Sequence, residues 1–136
     1  RLGTQDRSAK LEQLARDEVK ALAEAQDLFA NDHYDLSVMR AYRAVEARLR
    51  RVLLGRGGNR PAGDLGELIT AAKRAGLLRE PTLTLLQELQ RQWRIAIGSV
   101  PLTKEAAADA LGATRDILAA IPVPEPAGRA DGPTKD

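Results

Sequence analysis

The feature that most constrains this chain is the spacing of its apolar residues, which recur every three or four positions along five separate segments. That spacing predicts amphipathic α-helices, because residues three and four apart share one face of a helix. Alanine and leucine supply most of the apolar residues, and both are strong helix formers. We therefore predict an all-α fold, a single antiparallel bundle whose five helices span about residues 8–30, 33–54, 65–75, 81–97 and 104–121.

The chain has 136 residues, which is the length of one ordinary domain. We assign residues 1–121 to the helical bundle and residues 122–136, which are rich in proline and glycine, to a flexible tail. No apolar run reaches the roughly 18 residues that a membrane span needs, and no signal-peptide pattern opens the chain. We expect a cytoplasmic domain, and the sequence leaves contact with a membrane open.

The composition excludes several kinds of chemistry. The chain has no cysteine and one histidine, so thiol catalysis, iron–sulfur clusters and cysteine zinc sites are excluded, and His-rich metal sites are disfavoured. The histidine, His33, lies at a predicted helix start, where a surface turn is a more common setting than a general acid. We expect no metal, no cofactor and no catalytic residue.

Basic charge is concentrated in and around the second helix. The formal net charge is only +2, yet residues 32–60 contain seven arginines and three acids. Clustered basic charge attracts phosphate and acidic partners without sequence specificity. A solvated helix face is the simpler alternative. Four arginines are predicted to lie across from the apolar stripe and to form a candidate anion-binding surface: Arg40, Arg43, Arg50 and Arg51.

Glu46 and Trp93 are the two other residues whose settings matter for function. Glu46 lies at the margin of the second helix's apolar stripe, and a carboxylate near a buried surface needs a cation or solvent. We predict a buried ion pair between Glu46 and Arg91 of the fourth helix, with Arg94 as a second candidate partner and a solvated Glu46 as the alternative. Trp93 is predicted to pack in the core, and a stacking platform for a nucleic-acid base is the functional alternative.

Three stretches taken together resemble the HEPN family of small helical bundles. YDLSVMRAYRAVEARLRRVL, residues 34–53, resembles the long helix of that family with its aromatic, Ala and Glu pattern. DLGELITAAKRAGLL, residues 64–78, resembles the short helix and the turn that follows it. Residues 86–118 are similar to the helix that carries the family signature Arg-Asn-x-x-Ala-His-Gly and to the helix after it. The resemblance covers about residues 8–121 and implies the same helical bundle.

The signature itself departs from the family pattern. When it is laid on QWRIAIG, residues 92–98, Ala96 and Gly98 match, whereas Gln92 stands at the Arg position and Ile97 at the His position. The resemblance implies metal-independent RNA cleavage in members that carry this Arg and His. Isoleucine cannot transfer a proton, so we expect this chain not to be a ribonuclease. A ribonuclease that uses Arg91 with His33 is a weaker alternative.

The resemblance also implies dimerisation through the face that bears the signature. In this chain that face would present Trp93, Arg94 and Ile97 in place of polar catalytic groups. Apolar and aromatic side chains of this kind favour packing against a partner. We predict a noncatalytic domain for dimerisation or protein interaction, with a homodimer or another protein as its partner. Binding of RNA or a nucleotide through the arginines of the second helix is the alternative.

Overall fold

The computed structural model describes residues 4–56 and 63–123. These residues form five α-helices and no strand, so the predicted all-α bundle is confirmed. Residues 124–136, most of the predicted tail, lie outside the described residues. The helices are α1 (Thr4–Ala30), α2 (Tyr34–Gly55), α3 (Leu65–Arg74), α4 (Glu80–Ala96) and α5 (Lys104–Ala120).

Local signals place the starts of α3 and α5 where the sequence predicts them. The Asp64 carboxylate accepts a hydrogen bond from the backbone N–H of Glu67 at 3.0 Å, and the Glu67 carboxylate accepts one from the backbone N–H of Asp64 at 3.1 Å. This reciprocal capping box satisfies two amides that the first turn of α3 leaves without helical partners. The Thr103 hydroxyl caps α5 in a similar way by accepting from the Ala106 amide at 3.0 Å.

Helix α2 is the centre of the bundle and packs against each of the other four helices. Val38, Val45 and Leu49 are fully buried on its main apolar stripe. Ala44 and Ala47, which lie on other sides of the helix, are also buried. Because α2 is covered on most sides, each charged residue on it must either reach a narrow exposed strip or find a partner on a neighbouring helix.

A buried ion pair joins α1, α2 and α5. Glu18 of α1 is only 5% exposed, and the Arg48 guanidinium of α2 donates to it from Nε at 2.9 Å and from Nη2 at 2.8 Å. The remaining nitrogen of Arg48, Nη1, donates to the backbone carbonyls of Leu118 at 2.8 Å and Ile121 at 2.6 Å. One guanidinium therefore binds a carboxylate on α1 and also two carbonyls at the end of α5, where the last carbonyls of a helix lack their usual i+4 donors.

Arg51 also belongs to this cluster. Its Nη2 atom lies 3.4 Å from Glu18 Oε1, and its Nε atom is buried and has no hydrogen-bond partner among the described residues. Arg51 is thus turned toward α1 and is largely covered by protein.

None of the described helices combines the length and the apolar character needed to cross a membrane.

Removal of Arg48 is expected to destabilise the bundle strongly. Arg48→Ala would leave Glu18 buried with only the longer contact to Arg51, and breaking a buried pair in this way costs about 3 kcal/mol or more. Urea unfolding followed by circular dichroism measures the change in the free energy of unfolding. The matched control is Arg40→Ala, which removes the half-exposed Arg40–Glu24 pair at 3.2 Å and is expected to cost about 1 kcal/mol or less. Equal costs for the two variants would contradict this account.

Candidate functional site

The centre of the candidate site is an aromatic pair between α2 and α4. The rings of Tyr42 and Trp93 are stacked, with centroids 4.5 Å apart and an interplanar angle of 16°. Tyr42 is buried, whereas Trp93 is half-buried and packs against the core. The prediction that Trp93 packs in the core agrees with this placement. One side of Trp93 is occupied by Tyr42, so only its remaining surface is available to a partner.

Glu46 lies one helical turn after Tyr42 and is only 8% exposed. Burial raises the pKa of its carboxyl above the ordinary value, and the nearby charges of Arg50 and Arg43 counter part of this effect. Burial also raises the pKa of the Tyr42 hydroxyl to about 12, with a smaller contribution from the Glu46 charge. The site therefore holds a largely covered carboxylate beside an aromatic pair, and the charges of Arg50 and Arg43 offset part of its desolvation.

The predicted ion pair between Glu46 and Arg91 does not form. Arg91 is exposed and donates from Nη2 to Glu88 Oε2, 2.6 Å away on its own helix. The ion pairs and side-chain hydrogen bonds among residues 4–56 and 63–123 do not include Glu46. Arg91 is directed away from α2 because it lies well round from the apolar stripe that turns α4 toward the core.

Arg94 and Ile97 complete the site on α4 and on the residue that follows it. The charge of Arg94 lies close enough to Tyr42 to lower its pKa slightly, against the larger effect of burial. Ile97 is 51% exposed, one helical turn after Trp93, and is followed by Val100, which is 66% exposed. We name this surface the α2–α4 face and define it by Tyr42, Glu46, Trp93, Arg94 and Ile97.

The four arginines predicted to form one anion-binding surface are divided among different environments. Arg51 faces α1 and contacts Glu18 at 3.4 Å, and Arg40 pairs with Glu24 of α1 at 3.2 Å. Arg50 donates to the carbonyl of Gly63 at 2.9 Å, and Arg43 is exposed. The arrangement corrects the prediction of a continuous free basic surface, because α1 covers part of the helix side that was expected to face solvent. The sequence pattern of α2 alone does not show that a neighbouring helix supplies acids to that side.

His33 lies apart from the α2–α4 face, at the beginning of α2. It is exposed and lines a shallow recess of about 390 Å³ together with Asp32, Tyr34 and Pro101. Arg91, the other residue of the weaker ribonuclease alternative, is held by Glu88. The part of the chain that the structure describes contains no group of three or more acidic or histidine side chains suited to hold a metal ion.

The helix order and this site can be compared with known proteins. The family model described as "HEPN domain" matches residues 12–123, which is most of the chain. The chain belongs to the HEPN domain family. This match confirms the predicted family resemblance. No curated protein and no solved structure is significantly similar to this chain.

Two signature positions of this HEPN domain have different settings. Ile97, at the His position, is exposed, whereas Gln92, at the Arg position, is buried with 5% exposure. Gln92 donates from Nε2 to Glu88 Oε2 at 2.8 Å, and its Oε1 atom is buried without a partner among the described residues. Sequence reasoning missed the burial of Gln92 and the cluster of Glu18 with Arg48. For Glu18 a signal was available, since it lies four residues after Leu14 and four before Leu22 in the apolar stripe of α1.

The raised pKa of Glu46 predicts the pH dependence of a neutral substitution. A carboxyl whose pKa is raised on folding contributes stability below its unfolded pKa, and this contribution is lost as the pH rises through the folded pKa. The glutamine of Glu46→Gln cannot ionise, so no charge loses solvent at this position on folding. We expect this variant to raise the midpoint temperature of unfolding of the HEPN domain near neutral pH, measured at low protein concentration. The gain should disappear in acid, where Glu46 of the wild type is protonated. Thermal unfolding over a pH series measures this difference.

Glu88→Gln is the matched control, with the opposite sign. Hydrogen bonds from Gln92 and Arg91 lower the pKa of Glu88, so its ionised form contributes stability that is lost as the pH falls through the folded pKa. We expect Glu88→Gln to lower the midpoint slightly near neutral pH. A Glu46→Gln variant that behaves like Glu88→Gln would show that the Glu46 carboxylate is well compensated in the folded chain.

Proposed function

We propose that this HEPN domain is noncatalytic and acts by binding a protein partner, in the first place a second copy of itself, through the α2–α4 face. The observation that carries the proposal is the half-exposed Ile97 at the signature position where active members of the family have histidine. An apolar side chain at this position cannot move a proton, whereas it gains free energy when a partner covers it.

Three further features of the face support binding to a protein. Trp93 stacks on Tyr42, and an aromatic side chain with only two rotatable bonds loses little conformational entropy when a partner covers it. Val100, three residues after Ile97 in the chain, is a second exposed apolar side chain. Arg94 is exposed beside these residues, and arginine is enriched at the centres of protein interfaces.

Binding of RNA or a nucleotide is less well supported than it was from the sequence. Arg40 and Arg51 are paired with acids of α1, and Arg50 donates to a backbone carbonyl. Pairing with acids lowers the net positive charge that these side chains can offer to phosphate. Of the four candidate arginines of α2, Arg43 and Arg50 have no acidic partner among the described residues, which is a small number of charges for sequence-independent binding of a polyanion.

Ile97→Asp is expected to weaken self-association by about tenfold or more, because it replaces a buried apolar contact by a desolvated charge. Sedimentation velocity over a concentration series measures the dissociation constant. Val19→Asp is the matched control, since Val19 is a 67% exposed valine on α1, outside the α2–α4 face. If wild type and Ile97→Asp sediment alike at all concentrations and bind every tested partner alike, the proposal is wrong.

The purified domain is expected neither to cleave RNA nor to bind it in a salt-sensitive way. Titrations with RNA, single-stranded DNA and ATP at low and high salt measure binding, and incubation with labelled RNA measures cleavage. Binding at low salt that is lost in Arg43→Glu would support the nucleic-acid alternative. Cleavage that disappears in both Arg91→Ala and His33→Ala would contradict the noncatalytic assignment.

A further inference from the structure

A groove separates α3 from α4. Both helices pack against α2, whereas contacts between α3 and α4 themselves are few. The groove has a volume of about 270 Å³, and none of its lining residues belongs to the α2–α4 face. Its apolar lining is supplied by Ile69 of α3 and Leu83 of α4, which are both partly buried.

Gly66 lines the α3 side of the groove without a side chain. A Cβ atom added to Gly66 would lie 3.4 Å from Asp64 Oδ1 and 3.7 Å from Gln90 Nε2, which are ordinary van der Waals distances. The backbone of Gly66 also does not have a positive φ. The packing of the described chain therefore has room for alanine, which is the more stable residue within a helix. A glycine that the packing does not require keeps this side of the groove open to the close approach of a ligand.

Two carboxamides line the α4 side of the groove. They belong to Gln87 and Gln90, which lie one helical turn apart. The side-chain hydrogen bonds that α3 and α4 make among the described residues include neither carboxamide. Each carboxamide has N–H donors and a carbonyl acceptor, the same kinds of group that a peptide main chain presents. These two side chains are therefore suited to bind the main chain of a peptide in extended conformation, whose own N–H and C=O groups are free.

The dimensions and lining of the groove favour a short peptide over a nucleic acid. The lining residues of α4 extend from Glu80 to Gln90, a rise of about 15 Å along the helix. That length accommodates roughly four or five residues of an extended chain. None of the described residues that line the groove is aromatic, so it has no platform on which a nucleobase could stack.

The turn that joins α3 to α4 gives one end of the groove a positive charge. Lys73 lines the groove, and Arg74 and Arg79 lie in the same turn. All three are exposed, and the ion pairs found in residues 4–56 and 63–123 do not include them. Glu80, which also lines the groove, offsets one of these three charges. The positive charge that remains favours an acidic occupant.

We propose that the groove between α3 and α4 binds a short acidic segment of a partner protein in extended conformation. An aliphatic side chain of that segment packs against Ile69 and Leu83. Its main chain binds the carboxamides of Gln87 and Gln90, and an acidic side chain pairs with Lys73. Binding at this groove does not depend on self-association through the α2–α4 face.

Selection of random dodecapeptides displayed on phage, with the full-length chain as the target, tests this inference. The enriched sequences are expected to place acidic residues beside an aliphatic residue. Synthetic copies of the enriched peptides are then titrated with the chain, and fluorescence anisotropy measures the dissociation constant. Lys73→Glu should weaken binding about tenfold or more, because it places an acid opposite the acidic side chain of the peptide. Lys20→Glu, at an exposed lysine of α1, is the matched control and should bind like the wild type.

Two further variants change the walls of the groove. Gly66→Ala adds a methyl group where the peptide main chain approaches, so it should weaken binding several-fold. Its midpoint temperature of unfolding should not fall, because alanine favours the helix, and loss of binding then does not reflect unfolding. The double variant Gln87→Ala/Gln90→Ala should also weaken binding several-fold. Gln26→Ala, at an exposed glutamine of α1, is its matched control.

The outcomes separate this inference from the proposed function. Peptide binding that is weakened by Lys73→Glu and Gly66→Ala but unchanged by Ile97→Asp supports the inference, whether or not the chain associates with itself. The inference is overturned if no sequence with acidic and aliphatic residues is enriched, or if the enriched peptides bind the groove variants as tightly as the wild type. Binding of an RNA dodecamer that is lost in Lys73→Glu, without enrichment of peptides, would also overturn it, in favour of a nucleic-acid site.

Discussion

The guanidinium of Arg48 is the polar group that links the first and last helices of the described bundle to α2. It binds the buried Glu18 through two nitrogens and the end of α5 through the third. α1 has few contacts with α5, so the link through α2 is the main polar connection between the first and last helices. An ion pair on the surface would add little to stability, whereas the pair of Arg48 and Glu18 is enclosed by protein. Removal of Arg48 would leave the charge of Glu18 with little access to solvent.

The central position of α2 explains how the remaining charges are distributed. Once α1 covers one side of α2, Arg40 and Arg51 lie opposite acids of α1 and become structural residues. On the side of α2 next to α4, Glu46 lies one turn after Tyr42, which stacks on Trp93, and no arginine or lysine of the described residues pairs with its carboxylate. The proposed interaction surface thus includes a carboxylate of α2 that has no ion-pair partner among residues 4–56 and 63–123.

The elements of the fold could be predicted because they depend on local signals. The helical spacing of apolar residues and the caps at Asp64 and Thr103 act within a few residues along the chain, and the structure agrees with them. The polar contacts depend on which helices become neighbours, and periodicity does not contain that information. Pairing of Arg51 with Glu18 was therefore missed, and the pairing of Glu46 with Arg91 was wrong. In the candidate site, the exposure of Ile97 could be predicted from its position at the end of α4. The stack of Trp93 on Tyr42 could not, because it depends on how α2 and α4 pack against each other.

The signature positions of α4 differ in burial, since Gln92 and Ala96 are buried and Ile97 is exposed, and this difference bears on how a HEPN domain can change at the histidine position and keep its fold. Leu86, Leu89 and Ala96 are buried against the bundle, whereas Arg94 and Ile97 are exposed. A change at an exposed position costs little folding free energy, so the histidine position can hold isoleucine without repacking the core. The same exposure means that the new side chain gains free energy only from a partner. If the proposed function holds, the absence of a proton-transferring group and the presence of an apolar contact would both follow from the residue at a position that the fold leaves exposed.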